Sequence, residues 1–147
     1  MPQENLAEIL IKIFLTVFLC GLIGGEREFR QKGAGLRTHI LVGVGAALIV
    51  LTSFYLYEMF KSRTFVDPTR LITGIVTGIG FLCGGTIIRG GNQVMGLTTA
   101  ATLWIVTGIG MAVGAGQYLA ATVVTVVVFF VLIVVRWFEI KLKDKIR

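Results

Sequence analysis

From Gly90 to Val135 the chain carries no charged side chain, and a second charge-free run, Leu71 to Ile88, precedes it with only Arg89 between them. Apolar stretches of 18 or more residues without charge read as helices that cross a bilayer. Divided at its glycine-rich and polar breaks, the pattern predicts five spans: Leu6 to Gly25, Ile40 to Tyr57, Leu71 to Ile88, Leu97 to Val113 and Tyr118 to Val135. The expected fold class is all-α, a polytopic membrane helix bundle of five transmembrane helices in one domain, 1–137, followed by a basic tail, 138–147. Glu8 and Lys12 fall inside the first span, one helical turn apart, where an acid and a base can pair and reach the headgroups. The segment is not a secretory signal, since acidic rather than basic residues precede its apolar run.

Composition agrees with the pattern. The 147 residues are 55% hydrophobic and 15% charged, with a mean hydropathy of +0.86, too little charge to coat a soluble domain of this size. Five spans put the termini on opposite sides. One side gathers ten cations: Arg27, Arg30, Lys32, Arg37, Arg89, Arg136, Lys141, Lys143, Lys145 and Arg147. The other holds three, Lys61, Arg63 and Arg70. The cationic bias predicts an outside N-terminus and a cytoplasmic C-terminus. It also explains the net charge of +6, which points to anionic lipid headgroups rather than nucleic acid.

Glycine is abundant, with 19 residues, and much of it recurs at four-residue spacing inside the spans: Gly21 and Gly25, Gly74 and Gly78, Gly80 and Gly84, Gly110 and Gly114. In lipid, helices associate through close backbone approach at small residues, so these stripes predict a tight bundle or a dimer. The fifth span lacks them and is expected at the lipid-facing periphery, ending in Trp137 at the interface. A shift of about 60 residues sets Leu22-Ile23-Gly24-Gly25 on Leu82-Cys83-Gly84-Gly85, which suggests a parallel repeat of spans one–two and three–four. The alternative is that glycine-rich helix ends look alike. Cys20 and Cys83 lie within spans without metal-ligand spacing and read as small packing residues.

Polar residues cluster at four places. Glu26-Arg27-Glu28-Phe29-Arg30-Gln31-Lys32 continues the first helix with paired charge spacing. In Gly35-Leu36-Arg37-Thr38-His39 the chain turns back, with Thr38 a candidate cap for the second helix. Asp67-Pro68 is a helix-start signal, leaving Arg70 one turn in for a phosphate or a carboxylate. Arg89 and Asn92 close the third span, and Thr98 and Thr99 open the fourth. Glu26, Arg27, Arg37, Thr38, Asp67, Arg70, Arg89, Asn92, Thr98 and Thr99 are the candidates for contact with a ligand or partner. Glu26 is expected to find its cationic partner in Arg37, close to Thr98 and Thr99. With one histidine, His39, and no phosphate loop, dinucleotide fingerprint or serine elbow, no catalysis, metal site or cofactor is expected.

Taken together, Gly24-Gly25-Glu26-Arg27-Glu28, Ala34-Gly35-Leu36-Arg37-Thr38-His39, Asp67-Pro68-x-Arg70, Gly78-Ile79-Gly80-Phe81-Leu82 and Gly96-Leu97-Thr98-Thr99-Ala100-Ala101-Thr102-Leu103-Trp104 resemble the N-terminal transmembrane domain of the MgtC/SapB family, in order over nearly the whole chain. The resemblance implies a bacterial inner-membrane protein of five spans, linked in pathogens to growth at low magnesium and to virulence through survival in macrophages. It also implies the F-type ATP synthase as a partner. Cys83 stands where the family usually has a smaller residue, and the soluble regulatory domain that follows the fifth span in many members is absent before Arg147, as in a short or truncated form. Two functions remain open at this level. One is regulation of Mg2+ or phosphate/ATP homeostasis by contact with another membrane complex, favoured because spans two to five hold no acid to bind a divalent cation. The other is a transporter or channel for a small ion or anion, for which Arg37, Arg70 and Arg89 at helix ends are the motive.

Overall fold

The chain is described here from a computed structural model covering residues 5–63, 67, 69–135, 137 and 141. Five helices carry it: α1 (Leu6–Phe29), α2 (Leu36–Phe60), α3 (Thr69–Thr86), α4 (Leu97–Gly114) and α5 (Tyr118–Phe130), the last extended by a π-helical turn, Val131–Val135. Among the described residues four runs are long and apolar enough to cross a membrane: α1, α2, α4, and α5 with its extension. The third falls short because Gly and Thr alternate with its aliphatic residues and Arg70 occupies its first turn. Of the tail 138–147, only Lys141 lies within the described residues; its ammonium sits 4.8 Å from the centre of the Trp137 ring.

A short hairpin, absent from the sequence reading, joins α3 to α4. Strands β1 (Ile88–Gly90) and β2 (Gln93–Met95) pair antiparallel around Gly91 and Asn92. Gly91 takes a positive φ of 61°, which a two-residue hairpin turn requires at its first central position. Gly96, at φ 88°, then turns the chain into α4 so close to the Thr86 carbonyl that a Cβ would collide with it. The first residues of the long charge-free run, between the third and fourth predicted spans, therefore form a hairpin.

Helix α4 is the axis of the bundle. Leu103, Val106, Ile109 and Val113 are all but sealed from solvent. Leu19, Cys20 and Ile23 of α1, Ala121 of α5 and Leu132 pack with Val106, Ile109 and Val113 in one core. Against α2 the approach is closer still. A Cβ on Gly110 would strike the Gly43 carbonyl, and one on Gly114 would lie 2.9 Å from the Ala47 carbonyl oxygen. Gly43 and Ala47 thus face Gly110 and Gly114 at four-residue spacing on both helices, a backbone contact that only small residues permit. The ascending order of these contacts makes α2 and α4 parallel, the relation that a repeat of the two hairpins would need. Ile79 and Cys83 of α3 instead meet Leu103 and Ala100 of α4 in descending order, so α3 is antiparallel to both.

Within the chain, the close backbone contact expected of the glycine pairs is made by Gly110 and Gly114 and not by the other pairs. A Cβ on Gly25, Gly74, Gly78, Gly80 or Gly84 would meet nothing within 4 Å, and one on Gly21 would make ordinary contact with Ile40. The tight positions on α1 and α2 are instead Gly24, against His39 and Leu36, and Gly43, against Cys20. On α3, Ile79 and Cys83 are the buried residues; the helix packs mainly on α4, with Val42 of α2 against the same cluster. As expected, α5 is peripheral: Ala121 and Thr125 are buried while Val123, Val126 and Val127 are exposed.

Candidate functional site

One end of the bundle brings together the close of α1, the start of α2, the hairpin and the start of α4. Gly24 lets α2 begin against α1, and the chain between them is tied by Glu28, whose Oε2 accepts the Leu36 amide at 2.9 Å. Glu28, rather than Thr38, therefore satisfies the first turn of α2; Thr38 lies within the helix, exposed.

Glu26 is buried here, with its side chain 6% exposed. Its carboxylate lies 3.4 Å from the Arg27 guanidinium and 3.4 Å from Arg30, and neither oxygen makes a hydrogen bond among the described residues. Arg27 is buried and Arg30 partly open. The expected partner, Arg37, is displaced because Arg27 and Arg30 share the helix of Glu26 and reach it without crossing to α2. Two guanidiniums on one carboxylate leave a net positive charge, which the negative C-terminal end of α1 favours.

Beside this triad sits His39, fully buried. Its Nδ1 lies 2.8 Å from the Gly35 carbonyl, which can only accept, so Nδ1 carries a proton. Nε2 lies 3.0 Å from the hydroxyl of Thr102, which in turn lies 2.9 Å from the Thr99 carbonyl. The ring thereby ties α2 to α4, and Glu26 and Arg27 are near enough to act on it electrostatically. Sequence reasoning set His39 aside for want of a metal cluster. The signal that could have found it is an ionisable residue at the edge of an apolar span, which needs a partner.

The remaining candidates separate. Thr99 is buried and lends its carbonyl to Thr102, whereas Thr98 is exposed. Arg89 and Asn92 stand exposed on the hairpin beside Ile88, Val94 and Met95, which are also exposed. Arg37 is exposed on the first turn of α2. Asp67 and Arg70 belong to the opposite end. Asp67 Oδ1 accepts from the Thr69 amide at 2.8 Å and the Thr69 hydroxyl at 2.7 Å, capping α3 as expected. The Thr69 hydroxyl, then its amide and the Arg70 charge, hold the Asp67 carboxyl below its ordinary range. Pro68 lies outside the described residues.

Inside the bundle, polar groups turn inward on their own helices. Thr16, Thr107 and Thr125 each donate to the carbonyl four residues earlier, at 2.8 Å. The Cys20 and Cys83 thiols lie 3.7 Å and 3.2 Å from the carbonyls of Val106 and Ala100, as buried packing residues. Lys12 pairs with Glu8 at 3.7 Å, yet it is 4% exposed rather than reaching for headgroups, because α1 packs its lysine-bearing face inward. No group of three metal-ligating side chains occurs among the described residues.

Long apolar helices joined through glycine contacts, with a buried charge cluster at one end and a capped helix at the other, define a polytopic membrane protein of the helix-bundle class. The sequence profile of the MgtC family matches residues 13–141. The chain belongs to the MgtC family. It is 40% identical over 141 residues to a protein of Escherichia coli (strain K12) named "Putative magnesium transporter YhiD", covering 95% of this chain and 66% of that one. It is 41% identical over 127 residues to Protein MgtC of Salmonella typhimurium (strain LT2), and 46% identical over 132 residues to Protein MgtC of Brucella abortus (strain 2308). Those matches cover 86% and 88% of this chain but 52% and 51% of the relatives, so the chain spans about half the length of the MgtC proteins it matches. No solved structure matches the chain.

Proposed function

We propose that the protein regulates Mg2+ homeostasis and adaptation to low magnesium, with effects on phosphate or ATP balance, by docking its polar end against another membrane complex such as the F-type ATP synthase. The family and the naming of YhiD as a magnesium transporter support the link to magnesium. The observation that carries regulation over transport is the disposition of polar groups. Apart from the buried Lys12, the ionisable side chains described gather near the ends, while the hydroxyls of Thr16, Thr107 and Thr125 are spent on their own helices, which supports the reading that no polar path runs through the bundle among the described residues. The polar end holds the Arg27–Glu26–Arg30 triad, of which Arg30 is partly open, together with a hairpin with exposed aliphatic residues, a charged and apolar surface suited to another protein. The protein works in the bacterial inner membrane, as a homo-oligomer and without catalysis, with that polar end in the cytoplasm and the N-terminus outside. A reporter fused after Arg147 is active only in the cytoplasm, and one at Lys61 only outside.

Glu26→Gln tests the site. It leaves two buried or half-buried arginines without their anion, which disturbs the docking end while the apolar helices still insert. In a complementation assay at low magnesium, with membrane levels checked in parallel, the variant fails to support growth; full growth would show that the triad serves only to anchor the end of α1.

A further inference from the structure

The stance of α3 leaves a cleft of about 580 Å³ between α2 and α3, with Thr107 of α4 on its floor. We infer that this cleft holds one acyl chain of an anionic phospholipid, whose phosphate is bound by Arg37. The walls are aliphatic and glycine: Leu41, Gly45 and Ile49 on α2 face Gly74, Gly78 and Leu82 on α3. An apolar cleft has too few polar partners to hold water, and left empty it forfeits the dispersion contacts of its lining. Its occupant must be apolar, and in a bilayer the adjacent apolar medium is lipid tail.

Charge and length identify the lipid. Arg37 lies one helical turn before Leu41, the first α2 residue on the cleft, so its long side chain stands at the end of the lining segment. At 1.5 Å per residue, Arg37 to Ile49 spans about 18 Å, close to one leaflet of a hydrocarbon core about 30 Å thick. A headgroup at Arg37 thus places its tail along the cleft. The guanidinium of Arg37 is exposed and makes no ion pair or side-chain hydrogen bond among the described residues. Arg70, near the other end, already has the Asp67 carboxylate as an electrostatic neighbour. Basic positions between transmembrane helices are suited to anionic headgroups, and a guanidinium binds phosphate through two parallel hydrogen bonds. The site stands whether the protein regulates or transports.

Native mass spectrometry of the full chain tests this by reading lipid and second-copy masses directly. The detergent-solubilised protein is incubated with phosphatidylglycerol, with phosphatidylcholine of the same chains, or with glycerol phosphate, which has the headgroup without a tail. The wild type takes up one phosphatidylglycerol about fivefold more readily than phosphatidylcholine, the preference a single arginine supplies near a membrane surface, and no glycerol phosphate. Arg37→Gln brings that ratio to about one, and Arg70→Gln leaves it unchanged. Gly78→Leu and, on the facing wall, Gly45→Leu reduce uptake of both lipids, since each fills a cleft where an added Cβ meets nothing within 4 Å. Equal uptake of the two lipids by the wild type, an unchanged ratio in Arg37→Gln, binding of glycerol phosphate alone, or a second copy in place of the lipid would each overturn the inference.

Discussion

At the scale of single residues, the fold turns on which glycines another backbone touches. Glycine spacing was legible in the sequence, but the register between helices was not, because it depends on neighbours that periodicity along one helix cannot name. Gly78 and Gly110 look alike in sequence; in the structure one faces open space and the other the carbonyl of Gly43. Gly110→Ala therefore lowers thermal stability in detergent, at a cost of about 1–3 kcal/mol for forcing α2 and α4 apart. Gly78→Ala leaves it unchanged or raises it slightly through the better helix propensity of alanine. Equal losses in the two variants would show that the α2–α4 contact is looser than described. The same limit hid the partners of Glu26. The spacing of Glu26 and Arg30 was visible as a helical pair, but the cap from Glu28 to Leu36 depends on how the chain turns between α1 and α2.

At the scale of elements, long apolar runs placed all five helices within a few residues of where they stand, free of charge in every run but the first, which holds Glu8 and Lys12. The hairpin escaped that reading, since three-residue strands of Ile88–Gly90 and Gln93–Met95 merge with the flanking apolar sequence. Helix α3 is the least supported element, resting on α4 along one side and starting from an exposed cap. Asp67 gives that cap a pH dependence. Its carboxyl is held below the ordinary 3.8, so the folded state gains from the ionised form. The gain is complete above that ordinary value and is lost as pH falls through the depressed one. Asp67→Asn, which keeps a capping oxygen without the charge, is accordingly less stable than the wild type at pH 6, and the difference in melting temperature closes as the pH falls through the depressed value. A constant difference across that range would separate α3 from the Asp67 charge.

At the scale of the whole molecule, the bundle sorts its chemistry by depth: backbone contacts and threonines bonded to their own helices in the middle, the Arg27–Glu26–Arg30 triad and His39 at one end, Asp67 and Arg70 at the other. Family membership was legible from the ordered motifs, and the profile match over residues 13–141 bears it out. The Asp67 cap was legible in the motif too; what the motifs could not convey is that Glu26 pairs with Arg27 and Arg30 and leaves Arg37 exposed. The central claim is that such a bundle regulates another membrane complex and moves no ion itself. Mg2+ uptake into proteoliposomes of the purified chain, read with an enclosed Mg2+-sensitive dye, measures this most directly. Uptake is expected to be no faster than in protein-free liposomes; saturable uptake that rises with the amount of protein would contradict regulation without transport.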